Sequence, residues 1–343
     1  MSPINPDELN NSDLNPTAAE PRENGELGSV SLSEPEFIPD YTPKEMRRTY
    51  SAVAWLLTAM YGLIIVVVFL LGYLPIPSWM DAECASAILN TVALDLICLP
   101  ACCLMMYALP RTHIPKRRMS FAFLLRVFTV CYCLMYAGAM LGNFIPNILP
   151  GDFINPLESY ISNIPVWLTF VLVVLIAPVA EELLFRKFII DRTVKYGEGT
   201  AILMSGLLFG LFHTNIYQFF YACFVGVVFA WVYVKSGRIG YSILLHMVLN
   251  LLGSVVATFV TNASETLTET AGSMLTTFYG SLILVLVVFG IVFLIRDRKS
   301  YTKLNKSQIK KPVRQALLNV GFIVFAVICT ALTLISLFGW DFL

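Results

Sequence analysis

The chain has 343 residues, of which 57% are hydrophobic and 13% charged, with a formal net charge of zero and a mean hydropathy of +0.73. An average soluble domain carries about 25% charged residues, so this composition excludes an ordinary water-soluble domain. It predicts an all-α, polytopic membrane protein, because helices satisfy their own backbone in lipid.

The first segment, residues 1–43, is rich in Pro, Asn, Ser, Glu and Asp. Up to Asp40 it carries nine acidic residues and one basic one, Arg22. That is the composition of a disordered, acidic tail. The first 40 residues contain no apolar core of a secretory signal, so the first hydrophobic segment is expected to act as an uncleaved signal anchor. Apolar runs near the ~20-residue length that spans a bilayer follow at roughly 50–74, 85–109, 121–149, 165–188, 200–213, 216–235, 239–259, 276–296 and 316–339. The fifth is short, and Arg126 interrupts the third near its start. About eight to nine spans are therefore expected.

Lysine and arginine set the expected orientation. They precede the first run (Lys44, Arg47, Arg48), follow the second (Arg111, Lys116, Arg117, Arg118), and end or follow the fourth (Arg186, Lys187, Arg192, Lys195). Lys235 and Arg238 lie between the sixth and seventh runs, and eight more basic residues fall from Arg296 to Arg314. The alternate loops hold Asp81, Glu83, Asp152, Glu158, Glu265 and Glu269 instead. Nine crossings with a cytosolic N-terminus fit this pattern. The basic loop with Lys303, Lys306, Lys310, Lys311 and Arg314 is expected to meet anionic headgroups of the bilayer, and no nucleic-acid partner is expected.

The eight cysteines show no Cys-x-x-Cys pair and fall almost wholly in apolar runs, which reads as packing. Gly206 and Gly210 in the fifth run, and Ala222, Gly226 and Ala230 in the sixth, read as small-residue stripes for close helix contact. No internal repeat of the transporter kind is visible.

Ionisable groups inside a span cost about 2.5–3.5 kcal/mol each on insertion scales, so each is a functional candidate. They are Asp95, Arg126, Glu181, Glu182, Arg186, His213 and His246, with the amide of Asn250. Glu182 and Arg186 are four apart and share a helix face, in the favourable order for an ion pair. Glu181 lies ~100° around the helix and is left free. His246 and Asn250 are also four apart. Three helices thus offer a carboxylate, two imidazoles and a carboxamide. A carboxylate and an imidazole suit deprotonation of water, and an imidazole and an amide suit an oxyanion. Asp95 reads as a structural or cavity-lining acid, with Arg126 as its expected partner. His113 reads as a solvated loop residue.

Glu-Glu-x-x-x-Arg at 181–186, Phe-x-x-x-His at 209–213 and His-x-x-x-Asn at 246–250 resemble the three motifs of the CPBP family, the CAAX-processing and bacteriocin-processing (Abi) intramembrane proteases. The resemblance covers roughly residues 160–260. It implies a membrane-embedded endopeptidase with a helical core of CAAX-protease type. By motif, Glu181 resembles the water-activating glutamate and His213 its partner. His246 and Asn250 resemble the oxyanion-stabilising pair, with Glu182, Arg186 and Phe209 as supports. Family members are often named metalloproteases, and two histidines with a glutamate (Glu181, His213, His246) make up a zinc set. A glutamate-and-histidine mechanism without metal is the favoured expectation, and no cofactor is required by it. The implied substrate is a peptide or protein, lipidated or carrying a leader, in a bacterial plasma membrane. The expected organisation is a tail at 1–43, N-terminal membrane helices at 44–160, a catalytic membrane core at 161–260, and C-terminal helices with the basic loop at 261–343. The competing class is a non-enzymatic membrane protein, either an immunity or scaffold protein or a proton-coupled transporter.

These boundaries carry one internal conflict. Glu181 and His246 fall about seven residues, roughly 10 Å, from the basic ends of their runs, but His213 falls about 13 residues, roughly 20 Å, from its own. Convergence requires a tilted or displaced fifth helix, or a boundary elsewhere than read.

Overall fold

The computed structural model describes residues 41–339. The acidic segment expected over 1–43 lies outside these residues up to position 40. Among the described residues no strand occurs. In chain order the elements are α1 (Pro43–Leu71), α2 (Ala82–Ala108), α3 (Phe121–Ile148), the short α4 (Pro156–Ser162), α5 (Val166–Tyr196), α6 (Glu198–Phe212), α7 (Ile216–Ser236), α8 (Ile239–Thr266), α9 (Glu269–Arg296), the short α10 (Arg298–Thr302) and α11 (Pro312–Leu317), and α12 (Val320–Phe338). Eight of these are long and apolar enough to cross a membrane, and α6 is a shorter apolar helix. The protein is an all-helical, multi-pass membrane bundle, as its composition predicts.

Helix starts are specified locally. A free N–H at a helix end needs an acceptor, and the side chains of Thr42, Asp81, Ser120, Asn215, Thr268 and Asn319 each accept one. Packing is then set by small residues. α7 lies against α6 on one side and α3 on the other, and α3 lies against α9. A Cβ at Gly206 would run into Val227, and one at Gly210 would run into the Cys223 side chain. The α6–α7 crossing therefore depends on these glycines, because van der Waals fit replaces hydrophobic burial between helices in lipid. All eight cysteines are free, and all but Cys223 are buried, which fits the packing role.

The depth conflict between Glu181 and His213 resolves at the end of α5. That helix runs on to Tyr196, eight residues beyond the expected boundary, and turns through Gly197 into α6. Gly197 has φ +124°, and a side chain there would collide with Ser307. The charges that read as a loop are folded into the helix and satisfied there. Lys187 pairs with Asp191 at 2.7 Å. Arg192 is 2% exposed, and its Nε donates to the Met106 carbonyl at 2.6 Å. Glu181 thus stands 15 residues before Tyr196, and His213 stands 15 residues after Glu198, each ~22 Å along an ideal helix. The two limbs match in depth.

Arg126 does not pair with Asp95, contrary to expectation. It reaches across the α3–α9 contact to Asp297 at 3.3 Å, an acid at the end of α9 that a reading confined to the spans passes over.

Candidate active site

α5 is not a regular helix where it carries the polar residues. Two π-helical stretches, Phe170–Ile176 and Leu183–Phe188, flank one α-helical turn and a half, Ala177–Glu182. Such turns are rare and are frequently found at functional sites. The cause here is readable. The Ala177 amide reaches back five residues to the Leu172 carbonyl. In that register the next donor, at position 178, would serve Val173, but Pro178 has no N–H. The Val173 carbonyl is taken instead by Asn250, whose Nδ2 donates at 2.9 Å from α8. Asn250 is itself braced, its carbonyl accepting from Ser254 Oγ at 2.5 Å.

One turn before Asn250, His246 enters between the two glutamates. Its Nδ1 lies 3.1 Å from Glu182 Oε1, and its Nε2 lies 3.7 Å from Glu181 Oε2. The other oxygen of Glu182 contacts Arg186 Nε at 3.0 Å. Glu182 and Arg186 are both fully buried, and Glu181 is 9% exposed. Glu182 is therefore held from both sides, as the i, i+4 spacing predicts, whereas Glu181 meets only the imidazole edge. Two carboxylates and one guanidinium leave one negative charge for the surrounding groups to offset. Neutrality matters in a medium where an uncompensated buried charge is costly.

Arg186 finds no hydrogen-bond acceptor for its terminal nitrogens. Its guanidinium lies over the Phe209 ring at 4.4 Å and the Phe229 ring at 5.6 Å, so ring faces supply the remaining attraction. Phe209 is the hub of the site. Its ring also meets His213 edge-on at 4.8 Å, His246 at 5.8 Å and Phe185 at 5.2 Å. Gly226 makes room for it, since a Cβ there would stand 3.0 Å from the ring.

His213 ends α6, with Nδ1 2.8 Å from the Phe209 carbonyl. A carbonyl only accepts, so Nδ1 carries the hydrogen and Nε2 of the neutral ring is a free acceptor. The Phe212 carbonyl beside it accepts from Tyr61 of α1 at 2.6 Å, which fixes this end of the helix. The structure thus gathers Glu181, Glu182, Arg186, Phe209 and His246 into direct contact, and brings His213 and Asn250 to the same cluster through Phe209 and Val173. The imidazole against Glu181 is that of His246.

The chemistry of these groups bears on a metal. Among the described residues no three His, Cys, Asp or Glu side chains converge as a metal set. Glu181, His213 and His246 as arranged do not come together as a three-ligand set.

Phe229 and the Val173 carbonyl are the parts of the site that sequence reasoning missed. An apolar ring and a backbone oxygen carry no polar signal, although Pro178 four residues before Glu182 marks a broken hydrogen-bond ladder.

The comparisons with known proteins point the same way. Residues 163–252 match the Rce1-like family model, described as type II CAAX prenyl endopeptidase Rce1-like. That stretch runs from the start of α5 to just past Asn250 and contains all three motifs. The chain is also 31% identical over 126 residues to the UPF0177 protein YbdI of Lactococcus lactis subsp. lactis (strain IL1403), an alignment covering 34% of this chain and 68% of that protein. No solved structure matches. The three motifs, the helical core that unites them and these two likenesses make this chain a member of the CPBP family of intramembrane proteases.

Proposed function

We propose that the protein hydrolyses a peptide bond of a membrane-associated substrate, with a water molecule activated by Glu181. The observation that carries this reading is the unequal treatment of two adjacent carboxylates. Glu182 is locked by Arg186 and His246, while Glu181 presents an oxygen 3.7 Å from His246 and pairs with no arginine or lysine.

The steps follow from proton positions. Glu181 takes a proton from water, and the bare Nε2 of His213 orients the same water. The hydroxide attacks the carbonyl carbon. Glu181, now neutral, releases its hold on the His246 Nε2 proton, which turns to the oxyanion together with the second N–H of Asn250 Nδ2. Collapse breaks the C–N bond, and Glu181 returns its proton to the departing amine. Arg186 and Glu182 keep His246 oriented throughout and touch no substrate.

The substrate is a peptide or protein, processed at a lipidated C-terminus or at a leader, as in the family the chain resembles. The segregation of Lys and Arg supports a cytosolic N-terminus, and the Lactococcus relative supports a bacterial plasma membrane. Comparative proteomics of membranes carrying wild type or Glu181→Gln tests the reading. Fragments present only with wild type identify the substrate. Identical profiles at equal abundance contradict a protease and favour a non-enzymatic membrane protein.

A further inference from the structure

Asp95 is a buried carboxyl that the proposed chemistry does not use. It sits in a π-helical turn of α2 (Val92–Cys98) and is 5% exposed. Its Oδ1 has no hydrogen-bond partner, and the cation expected for it, Arg126, is committed to Asp297. A carboxyl at this depth needs a polar partner.

Its surroundings are polar in two directions. Inward, this turn of α2 packs against the segment of α5 that carries Glu181. Toward the acidic end of α2, Thr91 lies one turn away and is buried. Tyr160 of α4 comes within reach of the Thr91 side chain. Tyr160, Asn163, Glu83 and Ser86 line a cavity of about 270 Å³ at that end. At ~30 Å³ per molecule such a space admits several waters. Positions 83, 87, 91 and 95 form one slanting row along the helix, with Glu83, Thr91 and Asp95 as its polar members and the buried Ala87 between the first two.

We infer that this stripe is a water path, running from the Tyr160 cavity past Thr91 to Asp95 and ending at Glu181, with Asp95 as a positioning residue that holds the last water before the carboxylate. The inference rests on Glu181 as the water-activating group. Each bond cut consumes one water, and the rings of Phe185, Phe209 and Phe229 that pack about Arg186 offer it no hydrogen bond. The unpartnered Oδ1 of Asp95 is the atom that accepts from it.

The test reads water access without cleavage. Full-length protein in sealed vesicles carries Glu83→Cys, Thr91→Cys or Asp95→Cys, with Ala93→Cys as a control at a position that is 0% exposed. A membrane-impermeant methanethiosulfonate is applied from each side, and modification is measured above the wild-type background. Thr91→Cys and Asp95→Cys should react about tenfold or more faster than Ala93→Cys, from the side that modifies Glu83→Cys. Rates equal to the control, or reaction only from the other side, overturn the path. In cleavage assays Asp95→Leu should lower kcat about tenfold with KM unchanged, while Asp95→Asn retains most of the rate. A leucine variant as fast as wild type overturns the positioning role. Loss of the protease reading itself would leave the labelling result standing, so the two failures are distinguishable.

Discussion

α5 and α9 are both long apolar helices, yet 44% of the most apolar window of α5 is buried within the protein against 6% for α9. Hydropathy marks both as spans, at mean values of 2.2 and 2.8. What separates them is the polar content of their middles. α5 carries Glu181, Glu182 and Arg186, none of which lipid can satisfy, so it must be enclosed by α2, α6, α7 and α8. The charges of α9, Glu269 and Arg296, sit at its two ends, and its outer face shows Leu284, Val285, Val288 and Phe289. It touches α3 along one line, where Gly290 meets the backbone of Thr129. In a membrane protein, enclosure is dictated by the groups that need partners, since apolar surface is at home in lipid.

That contrast can be broken from either side. Arg186→Leu should have the largest effect on stability, about 3–5 kcal/mol, because it leaves Glu182 buried and unpaired. A fall in the thermal midpoint in detergent checks it, and an unchanged midpoint would mean that the aromatic rings and His246 suffice to hold Glu182. Gly210→Val should cost less, about 1–3 kcal/mol of overpacking at the α6–α7 crossing. It should also slow cleavage, because Phe209 is the next residue. Phe289→Leu on the outer face of α9 should shift the midpoint by no more than about 0.5 kcal/mol. A large shift there would show that α9 is covered by protein, and would erase the distinction between the two helices.

Much of this was legible before any coordinates. The apolar runs located every long helix. The four-residue spacing of Glu182 and Arg186 gave their ion pair, which the structure closes at 3.0 Å. Three features escaped for physical reasons. Arg192 and Lys195 fell beyond the expected end of the fourth run because charge usually marks the membrane edge. Here the helix continues through them, with Arg192 donating to the Met106 carbonyl. The partner of Arg126 came from the far end of α9, and no local period encodes a contact across 171 positions. The meeting of His246 with Glu181 depends on the π-helical register around Pro178. The proline announces a break in the ladder, but the direction in which the helix then rotates is set by what packs against it.

The central claim is that the two glutamates have different work. It is tested most directly by measuring cleavage rate and thermal midpoint together for purified Glu181→Gln and Glu182→Gln. The account predicts that Glu181→Gln loses roughly 10²–10⁴-fold in rate with its midpoint unchanged, and that Glu182→Gln lowers the midpoint because the buried Arg186 loses its counter-charge. Equal losses of rate at wild-type stability in both variants, or a Glu181→Gln enzyme that still cleaves, would contradict it.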